Sequence, residues 1–107
     1  MIYEIRTYEA VEGRADALRS RFESEVIPRL RKYGIDLLGV FRTPEESGRL
    51  TYLTRFEDEA AYKQAWVSFA ADPEWRAIKT KSEENGPLMR SQTATRLEPT
   101  VAGLLLD

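Results

Sequence analysis

The stretch Ile35-Asp36-Leu37-Leu38-Gly39-Val40-Phe41-Arg42, Thr43-Pro44-Glu45-Glu46-Ser47-Gly48, Arg49-Leu50-Thr51-Tyr52-Leu53-Thr54-Arg55-Phe56 decides the fold. Two runs rich in β-formers flank a segment of Pro, Glu, Ser and Gly, which reads as a β-hairpin with its loop at residues 43–48. The first run is apolar on both faces, with Ile35, Leu37 and Phe41 against Leu38 and Val40. The second sets Leu50, Tyr52 and Phe56 against Leu53. A strand covered on one side only would alternate apolar and polar residues. This hairpin therefore predicts a sheet with apolar surface on both sides.

N-terminal to the hairpin the period changes. Ala15, Leu18, Phe22, Val26, Leu30 and Tyr33 recur every three or four residues, the stripe of a helix spanning 14–33. Arg19/Glu23, Arg21/Glu25 and Glu25/Arg29 are spaced for i,i+4 ion pairs on the other face. Pro28 lacks a backbone donor and predicts a kink, or a break after Ile27. Gly34 suits the residue that ends a helix. Before Gly13, the run Ile2-Tyr3-Glu4-Ile5-Arg6-Thr7-Tyr8 reads as a strand, which follows Met1 directly and is no signal peptide.

C-terminal to the hairpin, Asp58 is placed to cap a helix reaching about Ala71, with Tyr62, Ala65, Trp66 and Phe69 on its inner stripe. Asp72-Pro73-Glu74-Trp75 restarts a helix: Asp72 supplies the cap oxygen and Pro73 the first turn, with Trp75 and Ile78 facing inward. Asn85-Gly86-Pro87 stops it, and residues 88–97 form a fourth strand. Residues 98–107 are an irregular tail with an apolar tip, Leu104-Leu105-Leu106.

The order is β-α-β-β-α-β, a ferredoxin-like α+β domain over residues 1–107, with one four-stranded antiparallel sheet and helices on one face. Two helices cover one face of such a sheet, which leaves the apolar second face of the hairpin bare. Monomers rarely leave a large apolar patch exposed. The expectation is a homodimer in which two sheets pack face to face into an α+β barrel. The alternative is that the tail folds back over the open face.

Composition narrows the chemistry. The 107 residues include no histidine and no cysteine, with 18 acidic and 16 basic side chains and a net charge of −2. Imidazole and thiolate catalysis, disulfides, and His or Cys metal sites are excluded. Near-neutral charge argues against a nucleic-acid partner. Glycines lie outside any phosphate-loop spacing, and Glu45-Glu46 and Glu83-Glu84 read as surface charge, so neither cofactor nor metal is expected. No run is long and apolar enough for a membrane span, and a cytoplasmic location is expected.

Tyr3-Glu4-Ile5-Arg6-Thr7-Tyr8 followed by Gly13-Arg14, then Tyr33-Gly34-Ile35 with Leu38-Gly39, then Ala71-Asp72-Pro73-Glu74-Trp75, resembles the NIPSNAP family through essentially the whole chain. The resemblance implies the fold of the dimeric α+β barrel proteins, in agreement with the dimer argument, and assigns no reaction.

Glu4 and Arg6 are the least expected residues of the first strand, and with Tyr8 they share one side of its pleat. One reading is a polar pocket in which Arg6 holds an anionic ligand and Tyr8 bonds it. The other, which the residue types favour, is an ion pair of Glu4 with Arg6 or Arg55, serving specificity. Tyr62, Trp66, Phe69 and Trp75 could line an apolar cavity, although an aromatic stripe at helical spacing is more often core. Asp72 and Glu74 are explained by capping, and Arg29, Arg31 and Lys32 by a solvated face. The expected function is a non-catalytic homodimeric domain that binds a small hydrophobic or anionic molecule or a protein, with Arg6, Tyr8, Tyr52 and Trp66 as candidate ligand-binding residues. The alternative is a cofactor-independent monooxygenase- or isomerase-like enzyme of the dimeric α+β barrel superfamily. Without histidine, proton transfer there would need a strongly shifted group.

Overall fold

A computed structural model describes residues 1–101 and Leu104. Strand β1 (Ile2–Ala10) leads into helix α1 (Ala15–Arg21), a π-helical turn (Phe22–Val26) and helix α2 (Ile27–Lys32). Strands β2 (Asp36–Thr43) and β3 (Glu46–Phe56) follow, then helices α3 (Glu59–Ala71) and α4 (Pro73–Ser82) and strand β4 (Met89–Leu97). The sheet order is β2-β3-β1-β4, with every neighbouring pair antiparallel. This is the ferredoxin-like arrangement read from the sequence. No helix among the described residues is long and apolar enough to cross a membrane.

The helical stripe forms the core. Leu18, Phe22, Val26 and Leu30 are buried, with Ile2, Ile35, Leu50, Tyr52 and Phe56 of the sheet and Ala65 and Phe69 of α3. Pro28 produces no break. The chain instead widens into the π turn just before it, where the Ile27 N–H reaches back to the Phe22 carbonyl. Such a turn absorbs an unmade i→i+4 bond within a continuous helix. It also shifts the surface pairing. Arg29 still meets Glu25 at 3.1 Å, but Arg19 pairs with Asp16, and Arg21 is buried and bonds Glu83 at 2.8 Å. Gly34, at φ +73°, closes α2: its N–H bonds the Arg31 carbonyl and the next N–H, of Ile35, bonds that of Leu30. Both bonds need a left-handed residue at that position.

The hairpin differs from its sequence reading in two ways. The turn is Pro44-Glu45 alone, with Thr43 already paired to Glu46, because the strands continue into the Ser/Gly segment. A register shift between Leu37 and Gly39 adds a residue to β2. The shift turns Leu37 and Val40 to the same, helix-covered side, opposite Thr54 and Tyr52, rather than to opposite faces.

The pairing of β1 with β3 assigns the faces. Ile2, Glu4, Arg6 and Tyr8 sit with Leu50, Tyr52, Thr54 and Phe56 under the helices, whereas Ile5 and Thr7 sit with Thr51 and Leu53 on the opposite side. Phe41 also lies on that opposite side, 58 % exposed, its ring laid over Gly39 so closely that a Cβ there would stand 2.7 Å from it. In the tail, Val101 is exposed and Leu104 is 79 % exposed, so neither side chain folds back into cover. Leu105 and Leu106 of the expected apolar tip lie outside the described residues.

Candidate functional site

The residues singled out in the sequence are brought together beneath α3. Glu4 is fully buried and accepts from Arg6 Nε at 2.6 Å and from the Tyr62 hydroxyl at 2.5 Å. The Arg6 guanidinium lies 3.9 Å from the centre of the Trp66 ring. A cation over an indole face is attracted by the ring quadrupole. One strand position on, the Tyr8 and Tyr52 hydroxyls bond each other at 2.6 Å, with Phe22 packed against both rings. Arg55, whose face the sequence left open, lies on the opposite side of the sheet and pairs with Asp36.

Burial raises the Tyr52 phenol, reinforced by its Tyr8 partner, and burial likewise raises Tyr8. Tyr62 is held up by burial and by the Glu4 carboxylate that accepts its hydrogen bond. All three phenols therefore stay protonated at neutral pH. Trp66 Nε1 is buried without a hydrogen-bond partner, closed off by packed atoms. The arrangement stabilises an ion pair inside the domain and fixes the position of α3 over β1.

A second polar cluster ties α2 to the α3–α4 corner. Asp72 caps α4 by accepting the Trp75 N–H at 2.8 Å, and it also accepts from the Tyr33 hydroxyl and from Lys32 at 3.1 Å. These bonds, the Tyr33 one foremost, hold its carboxyl well below the usual range. Arg29 lies 3.5 Å from the same carboxylate and bonds Glu74 at 2.9 Å. Arg29 is covered and braces the corner, whereas Arg31 and Lys32 stand exposed, as a solvated face would have them.

The open space lies elsewhere. A cleft of about 290 Å³ separates α1 and the π turn from the β2–β3 hairpin, and its walls are mostly apolar: Ala15, Leu18, Phe22 and Ile27 face Val40 and Leu50. Its volume is at the low end for small-molecule sites. Four charged side chains border it: Arg19, Glu23, Arg42 and Arg49. Arg19 is paired with Asp16, and Arg49 with Glu9 and Glu46. Sequence reasoning placed Ala15, Leu18 and Phe22 on the apolar stripe of a helix and did not anticipate a cleft beside it. The available signal was Arg42, two residues from Val40 on a strand whose helix-facing side is otherwise apolar.

No group of three or more acidic, His or Cys side chains among the described residues is placed to hold a metal ion.

Sheet order, helix placement and the pairing of four antiparallel strands define a ferredoxin-like α+β protein, and solved structures agree. The chain superposes on an uncharacterised NIPSNAP domain protein from Burkholderia xenovorans with a TM-score of 0.82 at 21% identity, covering 100% of both chains. A NIPSNAP family protein from Agrobacterium tumefaciens gives 0.82 at 20% identity, covering 98% of each. A putative antibiotic biosynthesis monooxygenase from Bacteriodes thetaiotaomicron gives 0.71 at 20% identity, covering 99% of this chain and 95% of that one. No curated protein matches the sequence. The NIPSNAP family model matches residues 3–102, and the chain belongs to that family.

Proposed function

We propose that this NIPSNAP protein is a non-catalytic, homodimeric domain that binds a small molecule in the cleft between α1 and the β2–β3 hairpin, working in the cytoplasm. The cleft carries the reading: its walls are mostly apolar, and its wall residue Phe22 rests on the Tyr8–Tyr52 pair. Tyr8 and Tyr52 then act behind the ligand as the packed floor that sets Phe22, with Arg6 and Trp66 stacked on each other next to them. Dimerisation is supported by the sheet side opposite the helices, where Ile5, Leu53, Phe41 and Leu97 stand among Thr7, Thr51, Thr93 and Thr95. A second copy is the economical cover for such a face.

The monooxygenase neighbour raises the catalytic alternative, but likeness of fold does not carry an activity. Tyr8 and Tyr52, the hydroxyls such chemistry would use, are bonded to each other and held protonated.

Calorimetric titration with octan-1-ol tests the binding reading. The full chain is expected to bind it, and Ala15→Trp, which fills the cleft from the half-exposed start of α1, is expected to abolish binding while keeping the fold. Equal binding by both proteins would move the ligand elsewhere. Light scattering tests the dimer: the expected mass is twice the 12.3 kDa of one chain, and a one-chain mass at micromolar concentration would overturn it.

A further inference from the structure

We infer that the cleft selects an amphipathic monoanion, a medium-chain carboxylate whose chain lies between α1 and β2 and whose acid group meets Arg42; this rests on the cleft being a ligand site. Arg42 is the cation at the cleft border that has no partner among the described residues. Arg19 and Arg49 at the same border are both neutralised by carboxylates of the chain. Arg42 has no ion pair or hydrogen bond among the described residues, although it pairs in register with buried Leu50 on the helix-covered side of β2.

Arg42 stands exposed at the hairpin end of the edge strand, beside apolar neighbours. The neighbouring residues on the same side of the sheet are Val40, Leu50 and Tyr52, and a second register shift follows between Arg42 and Thr43. Irregularities of this kind re-aim a side chain at a strand end. An arginine fork beside apolar walls suits a planar carboxylate, which accepts two parallel N–H bonds. Glu23 sets the charge limit. It borders the cleft from the helical wall and likewise has no ionic partner among the described residues, so a dianion such as a phosphate monoester would meet repulsion there. The modest volume, about 290 Å³, accommodates a single chain of medium length.

The test is calorimetric titration of the full-length protein, at neutral pH, with octanoate, octan-1-ol and octyl phosphate, repeated on Arg42→Gln. Arg42 is exposed, so the variant is expected to fold as the parent does. Octanoate should bind the parent most tightly, and Arg42→Gln should weaken octanoate about tenfold while leaving octan-1-ol unchanged. Equal affinity for octanoate and octan-1-ol, or tighter binding of octyl phosphate, overturns the anion assignment and leaves the apolar site standing. If neither octanoate nor octan-1-ol binds, the site itself fails and the assignment fails with it.

Discussion

Beneath α3 the charges of Glu4 and Arg6 are paired with each other, whereas beside α1 the charges of Arg42 and Glu23 border an apolar cleft with no ionic partner among the described residues. Both regions lie on the same side of one sheet, and Phe22 touches both. In the first, the polar groups are enclosed and mutually satisfied, which makes them part of the architecture. In the second, the walls are apolar and the charges stand at the border, which is how a site for an external molecule is built. An unusual charged residue in a strand is therefore a weak guide to binding until its partner is known.

The sharpest way to break this comparison is Glu4→Ala. Removing one partner of a buried ion pair leaves the other uncompensated, here Arg6 together with the Tyr62 hydroxyl. Urea unfolding should show a loss of about 3 kcal/mol. A loss under about 1 kcal/mol would mean that the pair is not a structural element.

Tyr52→Phe should come next, since it removes one hydroxyl of a buried pair. The expected loss is about 1–2 kcal/mol in the same measurement, with the fluorescence of the folded protein unchanged. Stability unaltered by this change would place the two hydroxyls in contact with solvent or ligand instead.

The Asp72 cluster gives a pH-dependent test. Its carboxyl is held below its ordinary range in the folded chain, chiefly by the Tyr33 hydroxyl and the Trp75 N–H. The stabilisation is complete above the pH at which a free aspartate ionises, about 4, and is lost as the pH falls toward the folded value. Glu9 and Glu59, lowered mainly by Arg49 and Arg96, contribute in the same direction. Asp72→Asn retains a capping oxygen, so thermal melts across the acid range should show a shallower fall with little change in shape at neutral pH. An unchanged acid limb would contradict the assignment.

The smallest expected effect is on the other side of the comparison. Arg42→Gln should alter the unfolding free energy by no more than about 0.5 kcal/mol, as for most exposed positions. A larger loss would show that Arg42 is as structural as Arg6.

Local chemistry was readable where a residue acts on its own neighbourhood. Asp58 and Asp72 cap the helices that follow them, Gly34 ends α2, and the hairpin sits between two helical periods. The pairing of Glu4 with Arg6 was also legible, because residues two apart share a strand face. What escaped depended on pieces distant in the chain. Tyr62 completes the Glu4 site from α3, and Glu83 draws Arg21 away from Glu25. One extra residue at Leu38 moved Val40 to the helix-covered side, an inversion that no alternation of apolar residues reveals. The cleft is a spacing between α1 and the hairpin, and spacing is set by packing rather than by pattern.

The most direct test of the division between enclosed network and open cleft is an amide chemical-shift titration of the ¹⁵N-labelled protein with octanoate. The structure predicts that shifts concentrate at Leu18, Val40, Arg42 and Leu50, with the Trp66 indole N–H and the amides of Glu4 and Arg6 nearly still. Shifts centred on Arg6, Tyr8 and Trp66, with Val40 and Arg42 unmoved, would contradict it and return the ligand to the polar network beneath α3.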